Sequence, residues 1–324
     1  MIDPAGRKID YLRISVTDRC NERCLYCMPE SFKDWIPSAK TLNEEEILAI
    51  LKTSTELGFR KFRVTGGEPL IRSGIVSLIG KMIATPGVEV LQLTTNGTRL
   101  PELAESLYHT GLRRMNVSLD AIDPDIYHHI TKGHVEPVIE GIRLAKRLGF
   151  ESIKINTVLM RGKNESQILP LLDFAAELDV AVRFIELMPV SMTEMLDESH
   201  FLPVAEVQRK IEQDDFLESD PICRGFGPAK YYRLLKRKVV VGFISPLTNL
   251  HFCESCNKMR LTCDGFLRPC LGNHQETSLM PALRPVFDQT QLKELFLETL
   301  QNKPLEHIFR ENYHPHRIMT AIGG

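Results

Sequence analysis

No stretch of the sequence approaches the roughly 20 apolar residues that a membrane-spanning helix needs. The opening MIDPAGRKIDYLRIS carries no apolar run ahead of a small-residue cleavage site, so a cytoplasmic protein with no membrane partner is expected. Charge of one sign is also missing. Lys and Arg number 40 against 42 Asp and Glu, a formal net charge of −2, which excludes the general basic footprint of a nucleic-acid binder. There is no low-complexity segment. Hydrophobic residues at 43% and charged ones at 25% exclude a disordered chain and allow a sizeable core. A length of 324 residues fits two domains, or one large barrel with an extension.

Cysteine is what the sequence does have. A reducing compartment disfavours disulfides, and clustered thiols there read as metal ligands. Cys20-x3-Cys24-x2-Cys27 forms one set and Cys253-x2-Cys256-x13-Cys270 a second, with Cys263 inside the second span and Cys223 alone. Three thiolates leave one coordination position open. A [4Fe–4S] cluster held this way presents one iron to a small molecule. The alternatives are a zinc loop completed by a distant residue at the first set and a four-cysteine zinc knuckle at the second.

Between and around these sets, short β-rich runs alternate with helix-periodic stretches. Strands are expected over residues 11–16, 61–65, 88–94, 114–119, 152–159 and 180–187, and helices over 43–57, 73–84, 101–111, 136–148 and, despite Pro170, 165–178. Such alternation gives a parallel sheet covered by helices, curled into a full or partial barrel or laid out as a doubly wound open sheet. From about Asp215 the pattern changes to a hairpin over 231–244 and a helix near 291–300, so domains of residues 1–215 and 216–324 are expected. The unusual segments recur after strands: TDRCNERCLYC, GGEP, TNG, an aspartate, and MP. Parallel β/α sheets place their sites at that edge.

CxxxCxxC after the first strand together with Gly66-Gly67-Glu68-Pro69 after the second resembles the radical S-adenosylmethionine superfamily. The glycines let backbone approach the ligand closely. Taken with TTNG, NVSLD, FIELMP, FCESCNKMRLTCDGFLRPCL and the terminal Gly-Gly, the whole chain resembles the GTP 3′,8-cyclase family.

That resemblance implies an α/β fold, an incomplete (βα)6 TIM-type barrel with a C-terminal iron–sulfur-cluster domain. It implies a lyase that converts GTP to (8S)-3′,8-cyclo-7,8-dihydroguanosine 5′-triphosphate, the first step of molybdenum cofactor (molybdopterin) biosynthesis. A 5′-deoxyadenosyl radical would take hydrogen from ribose C3′, and C3′ would then attack guanine C8. Two [4Fe–4S] clusters follow, on Cys20, Cys24 and Cys27 and on Cys253, Cys256 and Cys270. S-Adenosylmethionine is assigned to Tyr26, Gly66, Gly67, Glu68, Ser118 and Met188. GTP is assigned to Arg13, Arg63, Thr94, Lys154, Lys258, Met259 and Arg260, and catalytic roles to Arg13, Lys154, Arg260, Gly323 and Gly324. The implied partners are GTP, an electron donor and cyclic pyranopterin monophosphate synthase as receiver of the product, with the chain a monomer or homodimer.

The residues lend this their own support. Cations within strands are costly to bury alone, but a triphosphate pairs them, and arginine does so with two parallel hydrogen bonds. Alternation along the strands could equally turn them to solvent. Two positions depart from the family: Lys258 stands where arginine is usual, and Cys263 where alanine is. The rival readings are a radical enzyme that modifies a peptide with the help of an auxiliary cluster, and a non-enzymatic zinc or iron–sulfur protein that binds nucleic acid.

Overall fold

The computed structural model describes residues 1–191, 193, 198–220, 226–311 and 313–323. Six parallel strands, β1 (Tyr11–Ser15), β2 (Lys61–Thr65), β3 (Val90–Thr95), β4 (Arg114–Ser118), β5 (Ser152–Leu159) and β6 (Ala181–Glu186), pair side by side in chain order. Their order never reverses, so the sheet is singly wound, a partial barrel rather than a doubly wound sheet. Helices α1 (Glu44–Glu56), α2 (Ile75–Ala84), α3 (Leu100–His109), α4 (Pro124–Thr131), α5 (Glu136–Leu148) and α6 (Ile168–Leu178) intervene.

Strands buried on both faces are usually apolar throughout. Here they alternate. Ile14, Val64, Leu93, Met115 and Ile153 form one apolar row, and their neighbours Arg13, Arg63 and Gln92 form a polar row on the opposite face. The apolar face joins Ile47, Ile79, Leu107, Ile142 and Leu172 of the helices in one core. The polar face is left to line the interior of the barrel.

Pro170 stands in the first turn of α6, where a missing N–H costs no helical bond. Besides two single-turn helices near the C-terminus, two helices lie outside the elements expected from periodicity. One is α4, whose N-terminus is capped by Asp123 accepting from Asp125 N and Ile126 N at 3.0 Å, and the other is α7 (Val204–Glu212). Each spans two turns or so, too short to build a strong apolar stripe.

The chain after residue 215 adds strands to both edges of the same sheet. Strands β7 (Leu217–Ser219), β8 (Lys230–Leu234) and β9 (Val240–Ile244) extend it beyond β6, with β9 parallel to β6 and β8–β9 the expected hairpin. Strands β10 (Lys258–Leu261), β11 (Phe266–Arg268) and β12 (Thr277–Ser278) extend it beyond β1, with β10 parallel to β1 and β11 folded back across Asp264-Gly265. Helices α8 (Met280–Leu283) and α9 (Gln289–Gln301) return to α1. There Arg284 just after α8 binds Glu46, Nη2 to Oε2 at 2.8 Å, while Glu46 also completes a reciprocal cap with Asn43. A short α10 (Met319–Ile322) brings the last described residues back to the strand ends.

The loop after β2 packs on the loop after β1. Gly67 N donates to Thr17 O and Glu68 N to Arg19 O, both at 2.7 Å. A Cβ on Gly67 would stand 2.1 Å from Arg19 O. The close approach that the glycines permit is therefore to the cysteine loop itself.

Gly67→Ala should push the cysteine loop off β2 and destabilise the chain by about 1–3 kcal/mol, as overpacking does. Thermal unfolding and the rate of Cys20 alkylation in metal-free protein measure it, and a variant matching wild type in both would contradict this packing. At α1, the Arg284 hydrogen bonds, helped by the Asn43 N–H, hold Glu46 below the usual carboxylate range. Its stabilisation is present above the unfolded-state value and is lost as pH falls through the lower folded value. Glu46→Gln should thus be less stable than wild type by about 1–2 kcal/mol at pH 7, with the gap closing below about pH 4. Urea titrations at both pH values read the difference.

Candidate active site

At the carboxyl edge of the strands lies a cavity of about 340 Å³ lined by six of the cysteines. Cys20, Cys24 and Cys27 come from the loop after β1, Cys253 and Cys256 from the loop before β10, and Cys270 from the end of β11. The β10–β11 hairpin decides which thiol joins the second set. Cys270 leaves the returning strand on the cavity side. Cys263 is 1% exposed beside the turn, with its thiol against Ser15 and Asp18 and its carbonyl accepting from Leu42 N at 2.7 Å. Cys223 lies outside the described residues. Among the described residues, no three His, Cys, Asp or Glu side chains converge on a single ion position. Each trio instead borders open cavity.

The surroundings of the first trio are acidic. Tyr127 Oη donates to Glu22 Oε1 at 2.7 Å, and Tyr26 Oη donates to Asp120 Oδ2 at 2.8 Å. Glu68 accepts from Leu70 N, Thr95 Oγ1 and Asn96 N at 2.6–2.9 Å, three of the roughly four sites a carboxylate offers. Burial pushes Glu22 up to about 8, Glu68 to about 7 and Asp120 to about 6. Burial also raises all three thiols, Cys27 to about 12. Ionising three thiols here is costly for the bare chain, and bound iron supplies the positive charge that permits it. The donor set fits a cluster with one iron left open toward the cavity.

The surroundings of the second trio are basic. Arg260, Arg13 and Arg63 occupy matched positions on the adjacent parallel strands β10, β1 and β2, and Lys258 precedes them by two residues on the same face. All four line the cavity. Arg13 and Arg63 keep some exposed surface, and both line the cavity. Burial, then Arg260 and Arg63, drives the Arg13 pKa well down. Burial brings Arg260 to about 10 and, with the neighbouring arginines adding to it, Lys258 to about 8. Among the described residues no carboxylate stands within ion-pair distance of Arg63, Lys258 or Arg260. Burial pushes the Cys256 thiol up, but the charges of Lys303 and Lys258 outweigh it and the pKa falls below the usual value.

Tyr26, Gly66, Gly67, Glu68, Ser118 and Met188 all border the cavity, as does Thr94. Three positions differ. Lys154 is buried with Nζ 5.5 Å from the Tyr231 ring and does not line the cavity. Met259 alternates to the other face and is fully buried in the core. Gly323 sits at the strand ends at φ +88°, where its carbonyl accepts from Arg260 Nη1 at 2.6 Å and a Cβ would stand 2.9 Å from Ser15 Cβ. Gly324 lies outside the described residues.

Several lining residues are absent from the sequence-derived set, notably Tyr11, Asn156 and Arg183. Arg183 donates through Nε to Asn156 Oδ1 at 2.8 Å, its partner in register. It carries the same signal as Arg13 and Arg63, a charge in mid-strand between apolar neighbours, and that signal would have found it.

Residues 14–175 match the Radical SAM superfamily model and residues 180–309 the Molybdenum Cofactor Synthesis C model. A GTP 3′,8-cyclase of Petrotoga mobilis is 41% identical over 327 residues, covering all of both chains. One from Thermodesulfovibrio yellowstonii is 40% identical over 326 residues, with the same full coverage. Among solved structures, Streptococcus suis SuiB bound to its precursor peptide SuiA superposes with a TM-score of 0.63 over 93% of this chain and 66% of that one. At 15% identity this likeness concerns the fold alone. Two thiol trios around one cavity, a singly wound partial barrel and full-length relatives at about 40% identity lead to one conclusion: the chain belongs to the radical S-adenosylmethionine superfamily and, within it, to the GTP 3′,8-cyclase family.

Proposed function

We propose that this chain is a GTP 3′,8-cyclase that joins ribose C3′ to guanine C8 of GTP as the first step of molybdenum cofactor biosynthesis. The observation that carries the reading is the in-register row Arg260–Arg13–Arg63 facing the cavity that both thiol trios border. Like charges on adjacent strands repel. A polyphosphate turns that repulsion into charge-assisted hydrogen bonds.

Cys20, Cys24 and Cys27 hold one [4Fe–4S] cluster, and Cys253, Cys256 and Cys270 the other. With S-adenosylmethionine, the first supplies a carbon-centred radical able to take hydrogen from the ribose. The protein's own residues bind and orient. Arg13, Arg63 and Arg260 take the phosphates, with Lys258 as a point charge where the family usually has the arginine fork. Tyr26, through Asp120, fixes the loop of the first trio against β5, since Asp120 Oδ1 accepts from Val158 N at 2.8 Å. Glu68 ties the ends of β2 and β3 and keeps one acceptor site for an ammonium group. Lys154 lies over the Tyr231 ring outside the cavity lining, and Gly323 positions Arg260 through its carbonyl. No described helix is long and apolar enough to cross a membrane. The reading places the enzyme in the cytoplasm as a monomer or homodimer. It draws on an electron donor and passes its product to cyclic pyranopterin monophosphate synthase.

Anaerobic incubation of reconstituted protein with S-adenosylmethionine, a reductant and GTP, ATP or a peptide pool tests the reading. The expected result is 5′-deoxyadenosine with a cyclised nucleotide for GTP alone, whereas turnover of the peptide pool would transfer the chain to the peptide-modifying class.

Arg63→Met should weaken GTP binding by about 2–3 kcal/mol, the value of a charge-assisted hydrogen bond, while leaving guanosine binding within twofold or so. Calorimetry with both ligands separates a phosphate contact from a base contact. In a second comparison, Cys256→Ala and Cys270→Ala should each lose about half of the iron, one cluster of two, yet retain uncoupled 5′-deoxyadenosine formation. Cys263→Ala should keep both its iron and its cyclised product. Loss of iron in Cys263→Ala with retention in Cys270→Ala would reassign the ligand.

A further inference from the structure

Behind the second trio, outside the cavity, two cations join the three segments that carry its thiols. Arg7 Nη1 donates to Cys253 O at 3.1 Å and to Leu305 O at 2.7 Å, and its Nη2 donates to Pro304 O at 2.7 Å. Asp3 holds Arg7 in place through Nε at 2.7 Å. Lys303, just past α9, donates from Nζ to Lys258 O at 2.9 Å and to Pro269 O. Lys258 follows Cys256 by two residues and Pro269 immediately precedes Cys270. One ammonium thus fastens the two limbs of the β10–β11 hairpin at the thiol end.

Lys303 is 5% exposed, and among the described residues no carboxylate lies within ion-pair distance of it. A buried ammonium without a counter-charge costs several kcal/mol. The two carbonyls it binds flank two of the thiols, Lys258 two residues after Cys256 and Pro269 next to Cys270, so its charge stands at the back of those sulfurs. Lys258 and Arg260 also face these thiols, but they line the cavity and are drawn to the phosphates when substrate is bound. Lys303 does not line it, so its charge stays behind the thiols whether the cavity is filled or empty.

We propose that Lys303 is a positioning residue of the second cluster: its ammonium clamps the Cys256 and Cys270 segments together and sets a permanent positive charge behind their thiolates, which holds the cluster and favours its reduced state. The inference rests on Cys253, Cys256 and Cys270 being the ligands. Net charge and hydrogen bonding around the sulfurs set the potential of such clusters, and groups behind the ligands contribute to affinity.

The test compares wild type, Lys303→Met and Lys303→Arg as full-length, anaerobically reconstituted proteins. Iron and sulfide are counted, each cluster is titrated by electron paramagnetic resonance, and iron release to a chelator is timed. Wild type should carry two clusters. A single cluster in wild type would overturn the ligand reading and this inference with it. In Lys303→Met the first cluster should keep its potential, while the second should reduce only at more negative potential and release iron about tenfold faster. Lys303→Arg, which keeps the charge and the donors, should restore both. Wild-type behaviour of the second cluster in Lys303→Met would overturn the role of Lys303 and leave the ligand reading intact. Equal shifts in the two variants, or loss of both clusters together, would overturn it as well, because the residue would then serve shape rather than charge.

Discussion

Positive charge held on the inner face of the sheet is the constraint from which the rest follows. Arg260, Arg13 and Arg63 stand side by side on three hydrogen-bonded strands, a juxtaposition that costs energy unless an anion answers it. The apolar rows on the opposite face pay for this arrangement by sealing the sheet against its helices. A one-residue slip of β1 against either neighbour would turn Arg13 into that core, so the helix packing and the cation row enforce one another's register.

The cavity is polarised end to end. Carboxyl groups gather at the loop after β1 and cations around the second trio, where burial still raises Cys253 and Cys270 but the lysine charges draw Cys256 down. Chemically alike trios therefore sit in opposite fields. The first is bordered by acidic and backbone groups suited to a zwitterion. The second shares its space with groups suited to phosphate. The division of labour between the two trios arises from what surrounds the sulfurs, since the ligand residues themselves are the same.

Much of this was legible in the sequence where a local rule applied. The six strands follow from short apolar-rich runs, whereas the choice of Cys270 over Cys263 comes from the family resemblance, and it is the register of the β10–β11 hairpin that turns Cys270 toward the cavity. The rules failed where partners are distant. Nothing near β10 says that it pairs with β1, so the joining of strands after residue 215 to both edges of one sheet is not legible in the sequence. Lys154 and Met259 show the same limit. Lys154 shares the charge-in-strand signal of Arg13, yet it faces the ring of Tyr231, from a hairpin some 75 residues on, and does not line the cavity. Met259 lies between two cavity cations, and only the alternation of the strand turns it away.

The pairing of β1 with β10 has a consequence for how the molecule assembles. Tyr11 finds its partner at Lys258, about 250 residues later. Closing so long a loop is entropically costly, and topologies rich in such contacts fold slowly. A ribosome that has released β1 to β6 has exposed the first cysteine loop, but one flank of β1 stays open, as an unpaired strand edge, until β10 emerges. Iron delivered in that interval would meet three thiols on a loop whose neighbouring cation row is still incomplete. Assembly of the active protein is thereby tied to the arrival of its last quarter.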